Sequence, residues 1–125
     1  MKKLALLVAS IASVYLVAKY DVIRLDGISG EIWNLFLGEN TQYAPDYSHS
    51  DFAKISIGMS QQQVEQIHGK PLVVWKPYEY TKYDSKKHFV GYEYSQSPTS
   101  THYRLRQVYF DGNKVAEVIS YFYVD

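Results

Sequence analysis

Four histidines and a scattered set of carboxylates are the side chains of this chain that could bind a metal or transfer protons. The histidines are His49, His68, His88 and His102. None of them has a second ligand at the short spacing typical of zinc-binding helices and loops. His88 and His102 could meet across neighbouring strands, but a zinc site there would need a third ligand and hydrogen-bond partners that orient the rings. We therefore interpret the histidines as surface or capping residues and predict no metal.

Patterns typical of nucleophilic, phosphate-binding and acid–base chemistry are also missing from the sequence. The serines lie in predicted turns and linkers, and no glycine-rich loop follows a predicted strand. The carboxylates that could serve acid–base catalysis form no recognisable pair; they are Glu79, Asp84, Glu93, Asp111 and Glu117. The sequence has no cysteine, which excludes thiolate chemistry and disulfides. We predict a protein that is not an enzyme, has no cofactor and takes no small-molecule substrate.

Basic residues interleaved with aromatic rings could bind single-stranded nucleic acid or lipid headgroups. The basic residues are Lys82, Lys86, Lys87, Arg104 and Arg106, and the rings are Tyr78, Tyr80, Tyr92, Tyr94 and Tyr103. Lys and Arg number 13 and Asp and Glu number 13, so the formal net charge is zero. A neutral chain has no general attraction to polyanions. We predict no nucleic-acid partner, keep anionic lipid as a minor alternative, and interpret these residues first as a solvated sheet face.

A short helix between residues 60 and 69 is the element that the sequence specifies most sharply. Ser60 and Gln63 have the spacing of a capping box, in which each side chain accepts a hydrogen bond from the other residue's amide. Gly69 can adopt the left-handed conformation that ends a helix, and Pro71 prevents continuation. The spacing predicts a helix from residue 61 to about residue 68.

A first helical turn is predicted just before that helix. Ser50 is its predicted cap, and Phe52 and Ile55, three residues apart, face inward. Val64 and Ile67 give the following helix a narrow apolar stripe that can lie on a sheet. The two helices are therefore expected to share one packing surface.

Four stretches after Pro71 are predicted to be strands because they are rich in Val, Trp, Tyr and Phe. They are residues 72–80, 88–95, 102–110 and 114–123. Pro77 indicates an edge position or a bulge, and Gly112 lies in a strong hairpin signal between the last two strands. The predicted fold class is α+β, with two short helices packed on one face of a three- to four-stranded antiparallel sheet.

Residues 1–19 are predicted to be an export signal or a membrane anchor. Lys2 and Lys3 precede an apolar run over residues 4–18, and Lys19 ends it. A positively charged start followed by an apolar run is typical of export signals. We therefore predict a periplasmic protein with a cytoplasmic N-terminus during insertion.

Two fates of this segment stay open from the sequence. Ser10 and Ala12 are small residues that could precede a cleavage site before Ser13, which would release the protein. The run is shorter than the about 20 residues of an ordinary span, but retained it would anchor the protein to the inner membrane. Contact with the membrane is predicted through residues 4–18 in the second case.

Residues 20–37 are predicted to form a β-hairpin, because two β-prone runs flank a turn that contains Gly27 and Gly30. An isolated hairpin is marginal in water, so its apolar side must dock either on its own domain or on a partner. Residues 38–49 are polar, contain Pro45 and are predicted to be a linker. Residues 50–125 then form the folded domain.

The helix and hairpin motifs resemble a known family. The residues that carry the resemblance are Phe52, Ile55, Gly58, Met59, Ser60, Gln63, Val64, Ile67, Gly69 and Pro71, followed by residues 108–112, Lys114, Val115 and Val118. This pattern resembles the small outer-membrane assembly lipoproteins called BamE, or SmpA/OmlA, over about residues 50–125. The resemblance implies a helix-helix-sheet domain and a noncatalytic cell-envelope protein that supports the machinery inserting outer-membrane β-barrels.

One feature of that family has no counterpart in this chain. Its members are tethered through a lipid on an N-terminal cysteine, and this sequence has no cysteine. Tethering therefore falls to residues 4–18, which favours the inner membrane over the outer one. A different anchor implies that the partner can differ as well.

The predicted contact residues for an envelope protein partner are Trp75, Tyr78, Tyr80, Tyr92 and Tyr94, with Met59 and Phe52 holding the scaffold at the helix junction. The chain also resembles, less closely, secreted inhibitor proteins built from the same helix-helix-sheet unit. Those proteins block an enzyme with an aromatic sheet face. Inhibition of an enzyme is therefore the alternative function.

Overall fold

The computed structural model describes residues 1–99 and 101–125, and it has an α+β fold. The helices are α1 (Lys2–Ala18), α2 (Tyr20–Leu37), α3 (His49–Phe52) and α4 (Gln61–His68), with a 3-10 turn at Asp84–Lys86. The strands are β1 (Gln42–Tyr43), β2 (Val73–Trp75), β3 (Val90–Glu93), β4 (Ser95–Gln96), β5 (Tyr103–Asp111) and β6 (Lys114–Tyr123). Helices and antiparallel sheets were both expected from the sequence.

The main sheet has four antiparallel strands in the order β2-β3-β5-β6, and β1 pairs with β4 in a small second sheet. The β5–β6 hairpin is confirmed, and its turn contains Gly112 with a positive φ of 61°. Tyr92 lies opposite Val108, which in turn lies opposite Val118. Alternate residues of these strands therefore point toward α3 and α4 or toward the opposite face.

The capping box of α4 is confirmed. Ser60 Oγ accepts from the Gln63 amide at 3.1 Å, and Gln63 Oε1 accepts from the Ser60 amide at 2.9 Å. Gly69 follows the helix with a φ of 76°. The cap of α3 is Ser48, whose Oγ accepts from an amide three residues on, so the prediction of Ser50 was wrong by two residues. Ser50 already lies inside the helix.

The core lies between the sheet and the pair α3 and α4. Its fully or nearly fully buried residues are Ala44, Phe52, Ile55, Val64, Tyr92, Tyr94, Val108, Phe110 and Val115, and Met59 packs against them. The loop before α4 is also tied to the sheet, since the Val115 amide donates to the Met59 carbonyl at 2.7 Å. Phe52 and Met59 therefore lie where the helices join the sheet.

The predicted hairpin at residues 20–37 is wrong, because this segment is helix α2, broken at Gly27 by a non-helical φ of 77°. The buried residues of α2 are Val22, Asp26, Gly30 and Glu31. Val22, Asp26 and Gly30 recur every four residues, and Glu31 directly follows Gly30 on the same buried side, as on one side of a helix; adjacent residues of a strand point to opposite faces. Packing of this stripe against the sheet selects the helix.

The predicted linker and the first predicted strand are also corrected. Residues 38–49 include β1 and the buried Ala44, so they belong to the folded body. The strand expected over residues 72–80 ends at Trp75, just before Pro77, which cannot donate to a sheet ladder.

None of the residues of helix α1 is buried, and the Tyr15 hydroxyl donates to Glu31 Oε2 of α2 at 3.0 Å. Among the described residues, no single helix is long and apolar enough to span a membrane. Helices α1 and α2 pass that test of length and composition only together, as a pair bent by 104°.

Candidate docking surface and buried ion cluster

The sheet face opposite α3 and α4 carries a group of packed aromatic rings. The ring of Trp75, on β2, meets Tyr109 of β5 edge-to-face with centroids 6.2 Å apart. Tyr78, in the loop after β2, meets both Tyr109 and Phe89 edge-to-face at 5.7 Å. We call these three rings, Trp75, Tyr78 and Tyr109, together with Tyr80 two residues further along the same loop, the aromatic patch. Edge-to-face pairs add favourable energy beyond the area that they bury.

Charged groups fix the base of the aromatic patch. The Tyr78 hydroxyl donates to Glu117 Oε2 at 2.8 Å, and Lys86 Nζ lies 3.3 Å from Glu117 Oε1. The same ammonium lies 5.1 Å from the centre of the Tyr78 ring. Burial raises the pKa of Tyr78, and its hydrogen bond to the Glu117 carboxylate raises it further. The loop over residues 76–89 is thereby held against the sheet.

Two members of the aromatic patch face solvent. Trp75 is 38% exposed and Tyr80 is 94% exposed. The indole lies close over Gly91, where a Cβ atom would meet Trp75 Nε1 at 2.7 Å. The absence of a side chain at Gly91 therefore lets Trp75 lie against the sheet while its outer side stays accessible.

Tyr92 and Tyr94 do not join the aromatic patch, which corrects their prediction as contact residues. Tyr94 is fully buried, and its hydroxyl donates to the Gly69 carbonyl at 2.9 Å. The Tyr92 hydroxyl donates to Glu65 Oε1 at 3.3 Å. Both rings lie on the same face as Phe110, under the helices. Sequence alternation identified a tyrosine face of β3 but not which face the helices cover.

A buried ion cluster joins α2 to β5, and the sequence analysis missed it. Arg104 and Arg106 are 1% and 0% exposed. Asp26 accepts from Arg104 at 2.7 Å and from two nitrogens of Arg106 at 2.6 and 2.8 Å. Glu31 accepts from Arg104 at 2.9 Å. We call Asp26, Glu31, Arg104 and Arg106 the ion cluster.

Hydrogen bonds extend the ion cluster to the segment before α3. Arg106 Nε donates to the Tyr47 hydroxyl at 2.8 Å, and that hydroxyl lies 2.7 Å from His49 Nδ1. Burial raises the pKa of Tyr47 to about 12. Burial and the Arg106 charge lower the pKa of His49 to about 4. At neutral pH the phenol is therefore protonated and the imidazole is neutral.

The ion cluster has the geometry of a structural network. Its carboxylates are bonded to guanidinium groups and shielded from solvent, so they are not free to activate a substrate. The proposed headgroup role of Arg104 and Arg106 is wrong for the same reason, because neither side chain reaches the surface. A signal was present in the sequence, since both arginines alternate in step with the core residues Val108 and Phe110. Arginines at buried positions require acidic partners.

His68 is a second polar group inside the protein. It is fully buried, and among the described residues neither ring nitrogen has a hydrogen-bond partner. Its ring is enclosed by Tyr47 at 4.9 Å, Phe52 at 5.6 Å and Tyr94 at 4.5 Å. Burial lowers the pKa of His68 to about 4. The folded protein therefore holds this imidazole in its neutral form.

Protein stability is expected to fall as the pH is lowered from about 6.5 to about 4. In that range the unfolded chain protonates His68, whose ordinary pKa is about 6.5, while the folded chain does not. The expected loss in the free energy of unfolding from His68 is about 2–3 kcal/mol, and His49, whose pKa is also lowered to about 4, adds a loss of similar size. Urea denaturation at a series of pH values measures it. His68→Leu should make the profile shallower and leave the part that comes from His49, whereas Val64→Ala should lower stability without changing the slope; equal slopes in all three proteins would contradict the assignment.

The remaining histidines do not form a metal site in the part of the chain that the structure describes. His88 Nε2 pairs with Asp111 Oδ1 at 2.5 Å at the surface. No group of three or more His, Asp or Glu side chains among the described residues could hold a metal ion.

No family model, curated protein or solved structure matches this chain. The resemblance to the BamE family therefore stays a prediction from the motif residues.

Proposed function

We propose that this protein is a noncatalytic component of the cell envelope that binds a protein partner through the aromatic patch. The observation that carries the proposal is the exposure of Trp75 at the end of β2 and of Tyr80 in the loop that Tyr78 and Glu117 hold in place. Aromatic side chains are enriched at protein interfaces and dominate their binding energy. The rings of Trp75 and Tyr78 already pack on Tyr109, so these two side chains lose little conformational entropy on binding.

Helix α1 is proposed to hold the protein at the inner membrane, with the folded body in the periplasm. Residues 4–18 contain no charged side chain, and all of α1 is free of contacts that bury it. An apolar helix without a protein partner is favoured in a lipid environment. Its 17 residues give a length of about 25 Å, which a bilayer accommodates by local thinning and by flanking lysines.

A role in outer-membrane protein assembly is the finer proposal. It is supported by the resemblance of residues 50–125 to the BamE family, now joined to a confirmed capping box and a confirmed hairpin turn. Since this chain has no cysteine to lipidate, we propose that it acts from the inner membrane.

Photocrosslinking in the native envelope tests the docking proposal. A photoreactive amino acid replaces Tyr80 in the full chain, and the matched control places it at Gln62, an exposed position on α4. A discrete adduct is expected from position 80 and not from position 62. Trp75→Ala should weaken that adduct by about tenfold or more, as truncation of an interface aromatic commonly does.

The identity of the adduct separates the functions. A barrel-assembly component supports the envelope-assembly role, and a single soluble hydrolase supports enzyme inhibition instead. No adduct, or equal adducts from positions 80 and 62, would overturn docking through the aromatic patch. Intact-mass analysis of the protein from its host tests the anchor separately, because a mature chain that begins at residue 13 would have lost most of α1.

A further inference from the structure

We propose that the second half of α2, residues 28–37, lies flat in the membrane interface beside α1. The proposal rests on the anchoring of α1 and goes beyond it, because it assigns a membrane contact to a helix outside the anchor. The partner surface is lipid, at the boundary between headgroups and acyl chains.

The exposed side of this half-helix is apolar. Its exposed hydrophobic residues are Ile28, Ile32, Trp33, Leu35, Phe36 and Leu37. Leu35 is 74% exposed and Phe36 is 81% exposed. Glu31 is the one charged residue between positions 28 and 37, and it is buried against Arg104 at 2.9 Å. Water therefore meets a surface with no charge of its own.

The opposite side of the half-helix is fixed to the body. Gly30, Glu31 and Asn34 are the residues of this segment that are not exposed, and their spacing puts them on one side of the helix. A Cβ atom at Gly30 would lie 3.3 Å from Phe122 Cβ, so the helix backbone approaches β6 closely. The rest of the circumference, more than half of it, faces outward. This combination of a docked polar side and a wide apolar side matches an interfacial helix.

The arrangement of α1 and α2 favours a bilayer over another protein as the occupant. The half-helix lies at the C-terminal end of α1, because Glu31 Oε2 accepts from the Tyr15 hydroxyl at 3.0 Å and lies 3.9 Å from Lys19 Nζ. An anchored α1 therefore brings residues 28–37 to the level at which α1 leaves the bilayer. An apolar groove of about 540 Å³ lies between α1 and α2, lined by Leu35 and by residues of α1 that include Val8 and Ile11. Trp33, at 47% exposure, lies on the apolar side, and Trp is enriched at the level of lipid headgroups. One lipid surface covers α1, the groove and α2 together.

The composition of the chain permits a direct test. Trp33 and Trp75 are its two tryptophans, and Trp75 lies on the sheet. Full-length Trp75→Phe, with Trp33 as the sole tryptophan, is reconstituted into phosphatidylcholine–phosphatidylglycerol vesicles with and without brominated phosphatidylcholine. Brominated lipid should quench Trp33 emission about twofold or more, whereas aqueous acrylamide should quench it weakly. In the matched Trp33→Phe protein, brominated lipid should quench Trp75 emission weakly and acrylamide should quench it strongly.

Each outcome decides the proposal. A chain that floats with vesicles while acrylamide quenches Trp33 overturns the interfacial helix and leaves the α1 anchor intact. A chain that does not float with vesicles overturns both. Shielding of Trp33 from acrylamide and brominated lipid alike shows a protein cover and also overturns the lipid contact. Since the chain has no cysteine, Leu35→Cys with an environment-sensitive label repeats the test without changing either tryptophan.

Discussion

Asp26→Ala is expected to lower the free energy of unfolding by about 3–5 kcal/mol. Asp26 accepts hydrogen bonds from both Arg104 and Arg106, and all three side chains are shielded from solvent. Its removal leaves two buried guanidinium groups without their shared counterion. Urea denaturation of the full chain in mild detergent, followed by circular dichroism, measures the loss.

Two further variants make this result specific to the ion cluster. Asp84→Ala breaks an exposed ion pair with Lys87 at 2.8 Å and should change stability little. Asp26→Ala combined with Arg106→Met should recover part of the loss. The double variant removes one of the two arginines that would otherwise stay buried without Asp26. If Asp26→Ala is no more destabilising than Asp84→Ala, the ion cluster does not hold α2 on the sheet.

Phe52→Ala is expected to lower the free energy of unfolding by about 3–5 kcal/mol. Phe52 has no exposed surface, and its ring packs against His68 at 5.6 Å and Tyr94 at 6.3 Å. The Arg106 guanidinium lies 5.9 Å from the ring centre. Truncation therefore opens a cavity where α3, α4 and the ion cluster meet. Thermal and urea denaturation of the variant and of the unsubstituted chain under the same conditions measure the effect.

Matched substitutions separate cavity formation from general sensitivity of this region. Phe52→Leu should cost clearly less than Phe52→Ala, because it leaves a smaller cavity. Ile57→Ala, at a 66% exposed position in the following loop, should have little effect. A loss for Phe52→Ala no larger than that for Ile57→Ala would show that the junction of α3 and α4 contributes little to stability.

Short-range signals in the sequence predicted the start of α4 and the turn between β5 and β6. The Ser60–Gln63 capping box and the turn at Gly112 each depend on residues within a few positions of each other, so local propensity decides them. The sequence also predicted that successive side chains of β3 alternate between the two faces of the sheet. Which of its faces is covered was not, and Tyr92 and Tyr94 turned out to pack under the helices.

The sequence by itself determined the α4 cap, the β5–β6 turn, the absence of cysteine chemistry and an apolar N-terminal segment, because each is a property of neighbouring residues or of composition. The tertiary structure decided that residues 20–37 are a helix. Gly27 and Gly30 suit a hairpin turn equally well, and the choice depends on Asp26 reaching Arg104, 78 residues away. Only the folded chain brings those charges together, since a buried arginine is stable there only beside a carboxylate that the sequence places far from it.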